Sequence, residues 1–325
     1  MSETTSYHGQ PVIKEPIWTW EIPMYFFTGG VAGASAGLAC LSGMRGNEEL
    51  ARRAWAASLA GVSASPLFLI SDLGRPMRFM NMFRMFKVTS PMSVGSWILG
   101  ASGASTTLAA VNAWTGWFPG SARIARPAAA LLGLPLSTYT AALIANTAVP
   151  VWHESRRILP FVFGSGAALS AGAAAVIATP PEHAAPARRL ALASAALELG
   201  LNEAMRHQLG EHGEPYKQGA ASKLRMLSGA AIVSGAALLA SRGAKSRAAA
   251  ATAGGLMGAG ALSARWTVFK AGFQSAADPK YVVGPQRRMI EEGERKGASR
   301  RVSQVGVLER EKGSPATAPI PLSAS

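Results

Sequence analysis

Charge is scarce in this sequence. Asp, Glu, Lys and Arg make up 15% of its 325 residues, where a soluble globular chain carries roughly a quarter. The deficit is concentrated: none of the four occurs in 22–44, 54–71, 88–122, 127–153, 158–181, 226–241 or 248–264. A helix that crosses a bilayer needs about 20 mostly apolar residues, and most of these windows reach that length. A soluble enzyme is excluded. Cysteine is nearly absent as well. Cys40, the single one, excludes an iron–sulfur cluster held by this chain, c-type haem attachment and an internal disulfide. The five histidines, His8, His153, His183, His207 and His212, fall at termini, loops or helix ends. A haem b would need axial histidines facing each other inside the bilayer, so no haem is expected. The Gly/Ala runs lack the strand-to-helix setting of a phosphate loop. No metal cluster, nucleophile–base pair or paired-carboxylate hydrolase arrangement stands out.

What fills the windows is Ala, Gly and Ser, which explains a mean hydropathy of only +0.17. Small residues let transmembrane helices approach closely. The 35 glycines show no triplet period, which sets aside a collagen-like chain. Net charge is +14, but the basic residues lie between apolar windows and in the last fifty residues without interleaved aromatics. Anionic headgroups and topology account for them, and nucleic acid is not an expected partner.

The runs and their breaks predict an all-α, polytopic membrane protein, a bundle of about eight transmembrane helices. They are placed near Met24–Leu41, Ala54–Ile70, Pro91–Trp114, Pro127–Ala148, Ile158–Ala178, Leu190–Met205, Leu224–Ala240 and Ala248–Val268. The chain divides into a polar segment at 1–21, a helical domain at 22–272 and a basic, mostly disordered tail at 273–325. The opening segment lacks the layout of a cleaved signal peptide. Basic residues in alternate loops number eleven against ten, and Lys270, Lys280, Arg287 and Arg288 raise the first count to fifteen. Both termini are therefore expected on the cytoplasmic side of the plasma membrane.

Three separated motifs carry more. One is Trp20-Glu-Ile-Pro-Met-Tyr-Phe-Phe-Thr-Gly-Gly-Val-Ala-Gly-Ala-Ser35. The second is Ser71-Asp-Leu-Gly-Arg-Pro76, with Arg78-Phe-Met-Asn81 and Thr89-Ser-Pro-Met-Ser-Val-Gly-Ser-Trp97 after it. The third is Val149-Pro-Val-Trp-His-Glu154 with Leu159-Pro-Phe-Val-Phe-Gly-Ser165. In this order, over roughly residues 18–172, they resemble the NrfD/polysulfide-reductase membrane-anchor family. The resemblance implies a subunit without haem that exchanges electrons with the quinone pool, menaquinone or ubiquinone. Its implied partners are a ferredoxin-like iron–sulfur subunit and a molybdopterin catalytic subunit.

Candidate quinone-site residues are Tyr25, Asp72, Arg75, Tyr139, His153 and Glu154. Asp72 and Arg75 could hold a headgroup and deliver protons, or satisfy a turn and snorkel to lipid. Ser90-Pro91 reads as a helix start. Tyr139 could hydrogen-bond a quinone carbonyl; the family places a quinone-binding tyrosine in a corresponding helix. Tyr25, near Thr28, could equally be an aromatic-belt residue. A neutral His153 beside Glu154 is a plausible proton donor, with ion pairing to Arg156 or Arg157 as the plain reading. Glu198, Asn202 and Glu203 form a candidate proton path, because carboxylates inside a membrane are costly; the plain reading is an interhelical hydrogen bond. The rival class is a small-solute or ion transporter, which would need discontinuous helices and repeat symmetry. No repeat relates 24–148 to 158–268. The long, basic and aromatic Asp72–Ser90 loop is the expected docking face for the iron–sulfur partner.

Overall fold

The computed structural model describes residues 12–284, 287 and 290–293. The first residues of the polar amino-terminal segment and most of the tail expected to be disordered lie outside them. Among the described residues there is no strand. Eight helices of 20 residues or more are present: α1 Glu21–Met44, α2 Glu48–Ser71, α3 Pro91–Thr115, α4 Pro119–Ala145, α6 Leu159–Ala178, α7 Ala185–Leu209, α8 Gly219–Arg242 and α9 Arg247–Ala277. A short α5, Pro150–Glu154, and two 3₁₀ segments, Pro76–Phe83 and Gly210–Lys217, complete the order.

Each predicted helix has its counterpart, with longer ends at most positions where polar residues cap or continue a turn; the fourth stops at Ala145 rather than Ala148, and the fifth starts at Leu159 rather than Ile158. The second begins at Glu48 because the Asn47 side chain accepts a hydrogen bond from the Leu50 N–H at 3.2 Å. Glu48 and Glu49 then sit against the positive end of the helix dipole. Ser90 and Pro91 start α3 as expected, with the Ser90 hydroxyl as cap. In α4 the starting proline is Pro119, while Pro127 and Pro135 are carried inside the helix. The last helix runs past Val268 to Ala277. All eight run unbroken, unlike the discontinuous helices of inverted-repeat transporters.

Six of them, α1 to α4, α6 and α8, are long and apolar enough to cross a membrane. The other two carry charge in their interiors: α7 bears Glu198 and Glu203, and α9 bears Arg265 and Lys270. The fold is that of an all-α, multi-pass membrane protein.

Small residues set the packing. A Cβ on Gly33 would stand 2.3 Å from the Gly133 carbonyl oxygen, and one on Gly133 would stand 2.3 Å from that of Gly33. Helices α1 and α4 therefore touch backbone to backbone, as close packing without a hydrophobic driving force requires. Gly61 meets α1, Gly172 meets α7, and Gly235 with Gly260 joins α8 to α9 in the same way. At one end of the bundle the segment before α1 is clasped. Trp18 stacks on Trp152 with centroids 5.8 Å apart. Trp152 in turn meets Phe273 of α9 edge-on at 6.4 Å. Its indole N–H donates to the Val268 carbonyl at 2.8 Å. The start of α1 and the end of α9 thus share one face.

Candidate functional site

That same face gathers the starts of α1, α3 and α6 and the ends of α2 and α4. One turn into α1, Tyr25 is 1% exposed, and its hydroxyl has no hydrogen-bond partner among the described residues. Tyr139 of α4 meets it edge-on, with centroids 6.3 Å apart and planes at 68°. The Tyr139 ring is seated on Gly95 of α3, where a Cβ would come within 2.1 Å of its Cε2. Glycine is needed there so that the ring can lie against the α3 backbone. One turn deeper, the hydroxyls of Thr28 and Ser65 are 2.9 Å apart and link α1 to α2. Two predicted residues are thus brought together inside the bundle.

The other four lie further out. Asp72 ends α2, half-buried, and accepts a hydrogen bond from the Thr19 hydroxyl at 3.1 Å. Arg75 precedes the 3₁₀ segment and is exposed; no ion pair joins it to Asp72. His153 and Glu154 are on the exposed side of α5, whose Trp152 points inward. The Nδ1 of His153 is 3.2 Å from the Ala145 carbonyl. A carbonyl only accepts, so that contact places the proton on Nδ1 and leaves Nε2 free. Glu154 is 3.9 Å from Arg156. His153 and Glu154 line an open cavity of about 420 Å³ with Asn146, His212 and Tyr281. Beside it, Lys280 contacts Glu214 at 2.8 Å, and this hydrogen bond holds the Glu214 carboxyl below the usual carboxylate range.

Glu198, Asn202 and Glu203 separate by depth. Glu198 is fully buried at 0% exposure and accepts a hydrogen bond from the Ser165 hydroxyl of α6. Asn202 donates to the Glu198 backbone carbonyl at 2.8 Å, so it serves its own helix. Glu203 is exposed and pairs with Arg206 and His207. Asn202 and Glu203 border a small cavity of about 100 Å³ beside Tyr216 and Arg225.

The partner that sequence reasoning missed is Arg265 of α9, 2% exposed. Its Nη2 donates to the Phe163 carbonyl at 2.6 Å. Over Gly166 of α6, Arg265 Nη2 and Glu198 Oε1 lie 2.6 and 3.0 Å from where a Cβ would stand. They make no direct ion pair, and Oε1 has no hydrogen-bond partner. Two opposite charges thus face each other across a glycine, each anchored to α6. The signal was available, since Arg265 falls inside the predicted Ala248–Val268 span. Tyr216 is a second omission: it is buried, its hydroxyl is unpartnered, and burial pushes its phenol pKa up.

This architecture, a glycine-packed helical bundle with a phenol, a carboxyl and a guanidinium sealed inside it, defines a polytopic membrane protein. The family described as polysulfide reductase, of the NrfD type, matches residues 4–278. The chain belongs to that family. Membership implies a membrane subunit that works with oxidoreductase subunits. A search of curated proteins found no match.

Proposed function

We propose that the chain is the quinone-reactive anchor of a multi-subunit oxidoreductase. It passes electrons between an iron–sulfur subunit and the quinone pool of the plasma membrane, menaquinone or ubiquinone. The observation that carries this reading is the Tyr25 hydroxyl, a buried donor with no acceptor. Leaving such a group unpaired costs about 1–3 kcal/mol, and a quinone carbonyl supplies the missing acceptor. Tyr139 is the ring set edge-on to Tyr25. Bound quinone supplies a two-electron, two-proton couple. Asp72, His153 and Glu154, at the same end, are the groups suited to exchange protons with water. Arg75 is the cation suited to a developing negative charge. Glu198 and Arg265 carry the path inward, with Asn202 and Glu203 at its outer end.

The partner surface in this reading is the 72–90 segment. It exposes Met77, Met80, Met85 and Phe86 among Arg75, Arg78, Arg84 and Lys87, and methionine, aromatics and arginine are the residue types enriched at interfaces. The iron–sulfur subunit covers it, with a molybdopterin subunit beyond, and both chain termini lie on the cytoplasmic side.

Tyr25→Phe tests the reading. It removes an unpartnered hydroxyl, so thermal unfolding of the protein without quinone stays unchanged or rises slightly. Quinone affinity, followed by fluorescence quenching with a menaquinone analogue, falls about three- to tenfold, the worth of one hydrogen bond. Unchanged affinity removes Tyr25 from the site.

A further inference from the structure

At the opposite end of the bundle, away from Tyr25 and Asp72, a cavity of about 590 Å³ opens between α1, α4, α6 and the start of α7. Its wall is graded along α1. The deep part is apolar and glycine-lined, with Gly33, Gly37, Leu38, Gly133 and Gly164. Ser42 follows further out, 4% exposed, with a hydroxyl that has no hydrogen-bond partner. At the rim stand Arg45 and Arg189, both exposed, and neither has an acidic partner among the described residues. Neighbouring cations are already occupied. Arg188 donates to the Pro181 carbonyl at 2.6 Å, and Arg247 donates to carbonyls at the end of α6. Leu41 and Leu134 line the cavity while remaining 55% and 68% exposed, so it opens sideways, toward lipid.

We propose that this cavity binds an anionic phospholipid, one acyl chain inside and the phosphate at the rim. Each layer of the wall matches a layer of that molecule. The two free guanidinium groups suit a phosphate, for which arginine provides charge-assisted, planar hydrogen bonding. The Ser42 hydroxyl finds its acceptor in an ester carbonyl, one turn deeper. The apolar slot takes the acyl chain. From Gly33 to Arg45 the helix rises roughly 18 Å, somewhat more than half of a ~30 Å hydrocarbon core, which is the depth of one leaflet. A quinone ring carries no charge and leaves both arginines unanswered. This site is independent of the quinone reading.

The test uses the full chain purified in detergent and exchanged into mixed micelles of phosphatidylglycerol and phosphatidylcholine with identical chains. Native mass spectrometry then counts retained lipid. About one phosphatidylglycerol per chain stays bound, preferred about tenfold over phosphatidylcholine, whose phosphate is the same but whose choline cation the two arginines repel. Arg45→Gln with Arg189→Gln removes the preference, and raising the salt weakens it. Gly37→Leu, at a position where a Cβ meets nothing within 4 Å, fills the slot and abolishes retention of both lipids. Equal retention of the two lipids by the unaltered chain overturns the proposal. So does a preference that survives the double arginine change, or Gly37→Leu displacing a quinone instead of a phospholipid. The arginine changes lie at the surface and leave folding intact, so the result stays readable even if Gly37→Leu does not fold.

Discussion

The Arg265 guanidinium stands over the Phe163 ring, 4.2 Å from its centroid, and donates to the carbonyl of that same residue. A cation at this depth is thereby fixed to α6 from two directions. The same helix presents Ser165 to Glu198. Helix α6 is the frame on which charges from α7 and α9 are mounted.

Removing one member of that pair leaves the other buried and uncompensated, which costs about 3–5 kcal/mol. Arg265→Met and Glu198→Gln should each lower thermal stability in detergent by that order. Combining them should recover most of the loss, because no lone charge remains. Strictly additive losses would show that the two groups do not sense each other.

Glycine positions on α1 should differ sharply. At Gly33 a methyl group would meet a backbone oxygen at 2.3 Å, whereas at Gly37 it meets nothing within 4 Å. Gly33→Ala should destabilise by about 1–3 kcal/mol, the usual cost of overpacking, since a backbone carbonyl cannot swing aside. Gly37→Ala should leave the unfolding temperature unchanged or raise it. Equal effects would refute the backbone contact between α1 and α4.

Gly95 supports Tyr139 without contacting any proposed ligand itself. Gly95→Ala drives a methyl group into the Tyr139 ring and should reduce quinone affinity about as much as Tyr139→Ala does. Combining them should add little, which is the signature of a shared mechanism. Gly164→Ala is the control, since its Cβ would meet Thr138 Cγ2 at an ordinary 3.5 Å. If Gly95→Ala binds quinone normally while Tyr139→Ala does not, the ring's seat on α3 is unimportant.

The Glu214–Lys280 contact should open at both pH extremes. Lys280 depresses the folded-state pKa of Glu214, so this contribution is present above the unfolded glutamate value of about 4.3 and is lost as pH falls through the depressed folded one. Glu214 and Tyr281 raise the folded-state pKa of Lys280. That contribution is present below the unfolded lysine value of about 10.4 and is lost as pH climbs through the folded one. Amide exchange at 280–284, corrected for intrinsic rate, should be slowest between roughly pH 5 and 10. Lys280→Ala should remove the pH dependence. A flat profile in the unaltered protein would end the argument.

The bundle was legible because charge-free windows and helix length report the same bilayer constraint. The ends were less so: Asn47, Glu48 and Glu49 are polar, and a reading keyed to apolar runs starts six residues late, at Ala54. Tyr25 and Tyr139 could be nominated as phenols in the membrane. Their edge-on meeting depends on Gly95, which nothing in a linear reading connects to either. Arg265 was overlooked for a similar reason. It follows directly after the charge-free stretch 248–264, three residues before the end of the predicted Ala248–Val268 span. The continuation of α9 to Ala277 moves that side chain from near the end of the predicted span to well inside the helix.

The stacking of Trp18 on Trp152, itself packed against Phe273, has a bearing on biogenesis. Through Trp152 it links Trp18 to Phe273, a residue made more than two hundred positions later. When α1 enters the bilayer, neither Trp152, on which Trp18 stacks, nor Phe273, which backs Trp152, has been made. The leading segment must wait, unsecured, while the remaining helices are inserted. Trp152 is itself held by the end of α9, so closure of this face marks a bundle with all its helices in place, and a chain cut before α9 should remain recognisable to quality control by its loose leading segment.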